Sequence, residues 1–140
     1  NLLTNHHAWP QAYRQHDAPR SRQQTLGVRL AVFTVTPERI MILELADIRI
    51  QPGQQAAFDK AIQEGLNTVI AKAKGFEGFK VNRGVESPER YILQIFWTTL
   101  EDHTVGFRES PAFAQWRAIV GPYFAQPPVV EHFELVAKSN

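Results

Sequence analysis

Seven residues, Tyr91-Ile92-Leu93-Gln94-Ile95-Phe96-Trp97, are apolar on both of their alternating faces except at Gln94. A short run of this kind, rich in β-branched and aromatic side chains, reads as a strand. A strand with two apolar faces needs cover on both of them. The remaining sequence must therefore place one layer on each side of a sheet, and this restricts the fold more than any other feature.

The flanking periodicities provide the first layer. Residues 42–50 alternate apolar and polar and stop at Pro52-Gly53, which predicts a strand closed by a turn. From Gln54 the period lengthens. Phe58, Ile62, Leu66, Val69 and Ala73 recur at three- and four-residue steps, and Gly75 supplies the stop of an amphipathic helix. Residues 76–85 read as a second strand and Glu86-Ser87-Pro88-Glu89 as a turn. Residues 91–97 complete an antiparallel hairpin. Thr99-Leu100-Glu101-Asp102 opens a short helix to about Arg108. Ser110-Pro111 opens another, with serine suited to the N-cap and proline to the first helical position. That helix runs to about Phe124, Pro127-Pro128 ends it, and residues 129–136 form the last strand.

The resulting order, β-α-β-β-α-β, is the ferredoxin-like motif: an α+β fold with an antiparallel sheet. Two helices cover only one face of four strands. Another copy of the same sheet is the simplest cover for the second face. The sequence thus predicts a homodimer formed by residues 41–140 without residues 1–40, a domain of this size gaining from the extra burial.

Composition excludes several classes of function. The 140 residues suit one domain, and 44% hydrophobic with 21% charged is ordinary globular composition. There is no cysteine, which removes disulfides, thiolate nucleophiles and Cys-ligated metal centres. A net charge of +1 gives no field for holding nucleic acid or an anionic membrane. No apolar run approaches the roughly 20 residues that span a bilayer. Leu26 to Val35 comes nearest to a signal-peptide core, but Arg29 interrupts it and no small-residue cleavage site follows. The expectation is a cytoplasmic protein.

Residues 1–40 differ from the rest of the chain. They hold five arginines against Asp17 and Glu38, together with Pro10, Pro19, Pro37 and three of the five histidines. They read as a poorly structured extension, or as sequence upstream of a natural start at Met41. Residues 26–35 alternate well enough to add a strand as the competing reading.

Few residues in 41–140 invite chemistry. On the last helix Phe113, Val120 and Phe124 fall within about 20° of one line, with Arg117 on the same stripe and Trp116 beside it. An arginine cannot lose its charge, so on a core-facing stripe it must find an anion, a ring face or a ligand. An ion pair with a carboxylate, a positive group facing a pocket, and snorkelling to solvent all remain open. His103 shares a helix face with Leu100 and Phe107, and His132 alternates with Val130 on the last strand. His103 is either a capping or partly exposed histidine beside Glu101 and Asp102 or a base, and His132 is either a hydrogen-bonded strand histidine or a base. Neither sits in an H-x-x-x-H or H-x-x-E-H pattern, so no metal site is expected. The glycines form no phosphate-binding pattern, and a nucleophile elbow is missing.

The organisation resembles the antibiotic biosynthesis monooxygenase (ABM) family of small dimeric α+β-barrel proteins. The resemblance is carried by PGQQAAFDKAI at the first helix, GFEGFKVNRG at the second strand, the third strand ending IFW, the adjoining ED, and ESPAFAQW. It covers residues 41–136. It implies a substrate pocket and, for the quinone-forming members, chemistry without a cofactor. In those members a tryptophan at the end of the third strand and an arginine on the last helix line the pocket, and Trp97 and Arg117 match them. The family's tyrosine falls close to His103, its third-strand asparagine is replaced by Leu93 or Gln94, and many members carry a histidine where this chain has Phe107. The haem-degrading branch needs an asparagine and an iron-binding histidine where this chain has Ala46 and Arg117, which disfavours haem.

The resemblance implies two functions. One is a cofactor-independent monooxygenase or quinol oxidase using molecular oxygen on a phenol- or quinol-type aromatic. Trp97, Phe107, Trp116 and Phe124 would wall its cavity, His103 or His132 would act as base, and Arg117 would hold the resulting anion. The other is a non-catalytic dimer of the same fold that binds a small apolar ligand.

Overall fold

A computed structural model of the chain describes residues 41–139. The extension at residues 1–40 and the competing strand within 26–35 lie outside them. Four strands, β1 (Ile42–Arg49), β2 (Phe76–Arg83), β3 (Arg90–Trp97) and β4 (Val129–Glu134), form one antiparallel sheet in the order β2-β3-β1-β4. With α1 (Gln55–Thr68) and α2 (Pro111–Val120) this is the ferredoxin-like arrangement.

The two-sided strand β3 lies inside the sheet, paired with both β1 and β2. Its odd-numbered residues, from Tyr91 to Trp97, are buried against the helices. Ala46, Ile48 and Ile50 join them from β1, Phe58, Ile62 and Leu66 from α1, and Trp116 and Val120 from α2. Each large apolar side chain buried here contributes about 1.5–3 kcal/mol. The opposite face is only half covered. Leu43 stands between Phe96 and Phe133 in the cross-strand register, and Phe133 is 42% exposed.

Boundaries moved where local chemistry overrode periodicity. The final helix stops at Val120 and passes into one tight turn, Gly121–Tyr123, because Pro122 has no N–H with which to extend the ladder. Phe124 is therefore extended rather than helical and bridges to Ile50. The segment predicted as a short helix to Arg108 contains a π-helix, Asp102–Phe107, in which the Arg108 N–H reaches the His103 carbonyl at 3.0 Å. Ser110 precedes α2 as expected, yet its hydroxyl turns back to donate to the Phe107 carbonyl at 2.6 Å instead of capping the helix.

Gly75 fixes where the π-helix begins. Its φ of +85° is a left-handed conformation, and a Cβ there would collide with the Asp102 side chain. The Gly75 carbonyl also accepts the Thr98 N–H at 2.8 Å, and the Thr99 hydroxyl accepts the Asp102 N–H at 3.1 Å. The loop after β3 is thereby pinned to the start of β2, which sets the position of His103.

Candidate active site

At the end of the sheet where β1 begins and β3 ends, a carboxylate lies among aromatic rings. Ile48 and Ile50 set the helix-facing phase of β1, and Glu44 occupies that phase with 4% of its surface exposed. Trp97 stands diagonally across on β3, and its indole Nε1 donates to Glu44 Oε1 at 3.0 Å. His103, 1% exposed, reaches the same oxygen with Nε2 at 3.1 Å. Its other nitrogen, Nδ1, lies 2.7 Å from Nε2 of His132, which is directly opposite Glu44 on the edge strand β4. Trp97, Glu44, His103 and His132 form one connected chain of polar contacts.

Aromatic packing holds the chain in place. The His103 ring stacks on Trp97 at 5.3 Å between centroids, and Phe107 lies 5.9 Å from Trp97 and 6.3 Å from His103. Phe113 closes edge-on against Phe107 at 5.8 Å. The guanidinium of Arg117 lies 5.0 Å over the Phe113 ring, so the arginine finds a ring face at the margin of the cluster.

Burial dictates the protonation states. The Glu44 carboxyl is pushed up to about 7, mainly because an ionised oxygen is costly away from water; the Trp97 hydrogen bond and the Arg108 charge pull the other way. His103 is pushed down to about 2 and His132 to about 4, by burial first and the positive charge of Arg108 next. Both imidazoles are thus neutral at physiological pH, and Glu44 is the group that titrates near it. Among the described residues no three His, Asp or Glu side chains are grouped to hold a metal ion. The Glu44–His103–His132 contacts use opposite nitrogens of the central ring, so their donors form a line and do not converge.

The structure joins some of the sequence-predicted residues and separates others. His103, His132, Trp97 and Phe107 come together, and Arg117 is linked to them through Phe113. His103 is fully enclosed, which rules out the partly exposed capping role. Trp116 packs instead on Gly65 of α1, where a Cβ would meet its ring at 2.8 Å. Phe124 does not belong to this wall. It sits at the other end of the sheet, 6.3 Å from Phe58, because α2 ended one turn earlier than its periodicity predicted. Glu44 was missed by sequence reasoning. The available signal was its phase, a charge at an inward position of a strand, but Leu43 and Leu45 make the outward phase equally apolar there.

A cleft of about 480 Å³ between the end of α1 and the π-helix is lined by Val69, Lys72, Asp102, Gly106, Phe107 and Gln115, among others. Phe107 separates this cleft from His103 and Trp97. No helix among the described residues is long and apolar enough to cross a membrane.

Residues 41–119 match the family model described as antibiotic biosynthesis monooxygenase. The uncharacterised protein YczJ of Bacillus subtilis (strain 168) is 33% identical over 94 residues, 67% of this chain and 98% of that protein. A solved structure from Bordetella bronchiseptica that carries the antibiotic biosynthesis monooxygenase name is 39% identical, covers 70% of this chain and 99% of its own, and superposes with a TM-score of 0.67. The monooxygenase from the gene ActVA-Orf6 of Streptomyces coelicolor, solved with nanaomycin D, is 15% identical with a TM-score of 0.63 over 73% of this chain and 93% of its own. At that identity the likeness is one of fold.

Proposed function

We propose, from the premise that this chain belongs to the antibiotic biosynthesis monooxygenase family, that it is a monooxygenase or quinol oxidase acting without a bound cofactor on a phenol- or quinol-type aromatic. The observation that carries this reading is the enclosed acid–base set packed against Trp97, in which a carboxyl that titrates near neutrality contacts one neutral histidine, His103, and through it a second, His132. A general base works best with its proton affinity close to the operating pH. Removing the substrate's hydroxyl proton makes an electron-rich phenolate, which passes electrons to molecular oxygen. In oxygenation one oxygen atom enters the product and the other leaves as water.

In this reading Glu44 takes the substrate's proton, His103 and His132 carry it onward, and Trp97 and Phe107 form the wall of the reacting space. Arg117 holds the anion from beyond Phe113. A second copy of the chain covers the outward face of the sheet through Leu43, Phe96 and Phe133, giving a homodimer. Sedimentation of the full chain at micromolar concentration tests the assembly, and a stable monomer removes it.

Oxygen uptake by metal-free protein, measured with a panel of anthrone- and quinol-type compounds, tests the reaction. Turnover with at least one class is expected, and a broad failure sinks the assignment. Arg117→Met keeps length and apolar contact while deleting the charge. It should lower turnover or affinity about 10- to 100-fold, the equivalent of one charge-assisted contact of roughly 1.5–3 kcal/mol. Unchanged binding and turnover would remove Arg117 from the site.

A further inference from the structure

The spacing in the Glu44–His103–His132 chain allows each contact to hold one proton and no more. At 3.1 Å between Glu44 Oε1 and His103 Nε2, and 2.7 Å between His103 Nδ1 and His132 Nε2, two hydrogens cannot face each other. An ionised Glu44 requires the hydrogen of His103 on Nε2. His103 Nδ1 then accepts, so the hydrogen of His132 is on Nε2 as well. A protonated Glu44 reverses every assignment. Its hydroxyl donates to His103 Nε2, His103 donates from Nδ1 to His132 Nε2, and His132 carries its hydrogen on Nδ1.

We propose that Glu44, His103 and His132 are a proton relay between the interior beside Trp97 and the edge of the sheet at β4. The step balances. One proton binds His132 Nδ1, the Nε2 proton of His132 passes to His103 Nδ1, and the Nε2 proton of His103 passes to Glu44 Oε1. A single proton has entered at the outer end and appeared at the inner end. Both imidazoles are neutral before and after, and no metal or redox partner takes part. Running in reverse, the relay exports a proton.

The fold places the two ends suitably. His132 is half-buried on an edge strand, whereas Glu44 and His103 are enclosed. The charged and titratable groups facing the chain reinforce the neutral-imidazole states. Arg108, just past the π-helix, opposes a positive charge on either ring and favours the carboxylate, and Trp97 from β3 donates to Glu44 in both states. His103 and Glu44 are positioning and proton-storing groups here, acting through one another.

As the route by which the proposed oxygenation sheds its substrate proton, the relay rests on that reading. Its test needs no substrate, so a failed search for turnover counts against the reaction alone. Nitrogen-15 NMR of the full chain, with assigned ring signals of His103 and His132, is recorded from pH 5 to 8. The protonated nitrogen should move from Nδ1 to Nε2 on both rings together, with a midpoint near 7 and neither ring becoming charged. The infrared band of a buried protonated carboxyl should fade with the same midpoint. In Glu44→Gln the band and the tautomer exchange should both be lost. One fixed tautomer on either ring throughout, a carboxyl band that does not track the exchange, or an exchange that survives Glu44→Gln overturns the relay; the first two need no variant to fold.

Discussion

Two carboxylate clusters occupy opposite ends of the same helix-facing layer, and they have been given opposite electrostatics. At one end Glu44 meets an indole N–H and a neutral imidazole. At the other, Asp59 of α1 accepts the Tyr91 hydroxyl at 2.6 Å and is paired with the Arg83 guanidinium, whose Nε donates to the same hydroxyl at 3.0 Å. Both clusters sit on aromatic packing, Trp97 with Phe107 in one case and Tyr91 with Phe58, 4.8 Å apart, in the other. The difference lies in water and in the paired cation. Arg83 has 45% of its side chain exposed and Asp59 32%, so their charges keep hydration and each other. Glu44 has 5% of its side chain exposed and meets an indole and a neutral ring, so its charged form is the costly one. A carboxylate paired with a solvated arginine braces a helix to a strand. One enclosed with imidazoles can change state at neutral pH, and that is the property catalysis needs.

The largest expected effect is common to both ends. Trp97→Ala and Phe58→Ala each delete a fully buried ring and should cost about 3–5 kcal/mol in denaturant titration. If the comparison is right, only the Trp97 variant should also shift the pH dependence of stability, because it alone removes a donor from the Glu44 carboxyl.

Glu44→Gln gives the next largest effect and carries a sign. A folded-state value raised from 4.5 to about 7 means that the native protein binds more protons than the unfolded chain between those limits. The stability attached to Glu44 is intact below pH 4.5 and declines as pH rises through 7, by about 3 kcal/mol at about 1.4 kcal/mol per unit. His103 and His132, held down at about 2 and about 4, act oppositely and lose stability as pH falls below 6.5. The difference between the two proteins therefore isolates Glu44. They should be nearly equal at pH 4.5, with the variant gaining up to about 3 kcal/mol by pH 8. A pH-independent difference would erase the distinction between the two clusters.

Smallest is the response at the solvated end. Asp59→Ala breaks a partly exposed ion pair and one hydrogen bond, and should cost about 1–2 kcal/mol. Because the Arg83 charge stays in water, thermal melts should show the loss shrinking with added salt.

The order of strands and helices was legible because it rests on local rules. Alternation at period 2, recurrence at 3 and 4, and Pro and Gly at the ends are properties of consecutive residues. The two-sided apolar character of residues 91–97 likewise marked a strand that needs cover on both faces, whereas its pairing along both edges, with β1 and β2, came from the tertiary structure. The two histidines could be singled out by residue type and position, and Trp97 by the family resemblance. What they do to one another could not. Glu44 and Trp97 are 53 residues apart, and His103 and His132 are 29 apart. Their meeting depends on the β1–β3 and β1–β4 registers and on a π-helix whose extra residue per hydrogen-bonded turn leaves no mark in an α-helical pattern. Phe124 strayed from its predicted place for a related reason, since Pro122 ended α2 before the stripe could reach it. The sequence by itself therefore determined the order of strands and helices and picked out the reactive groups other than Glu44. Only the tertiary structure decided which of them are enclosed together, because proton affinity is set by burial and by neighbours across the sheet, and neither is a property of consecutive residues.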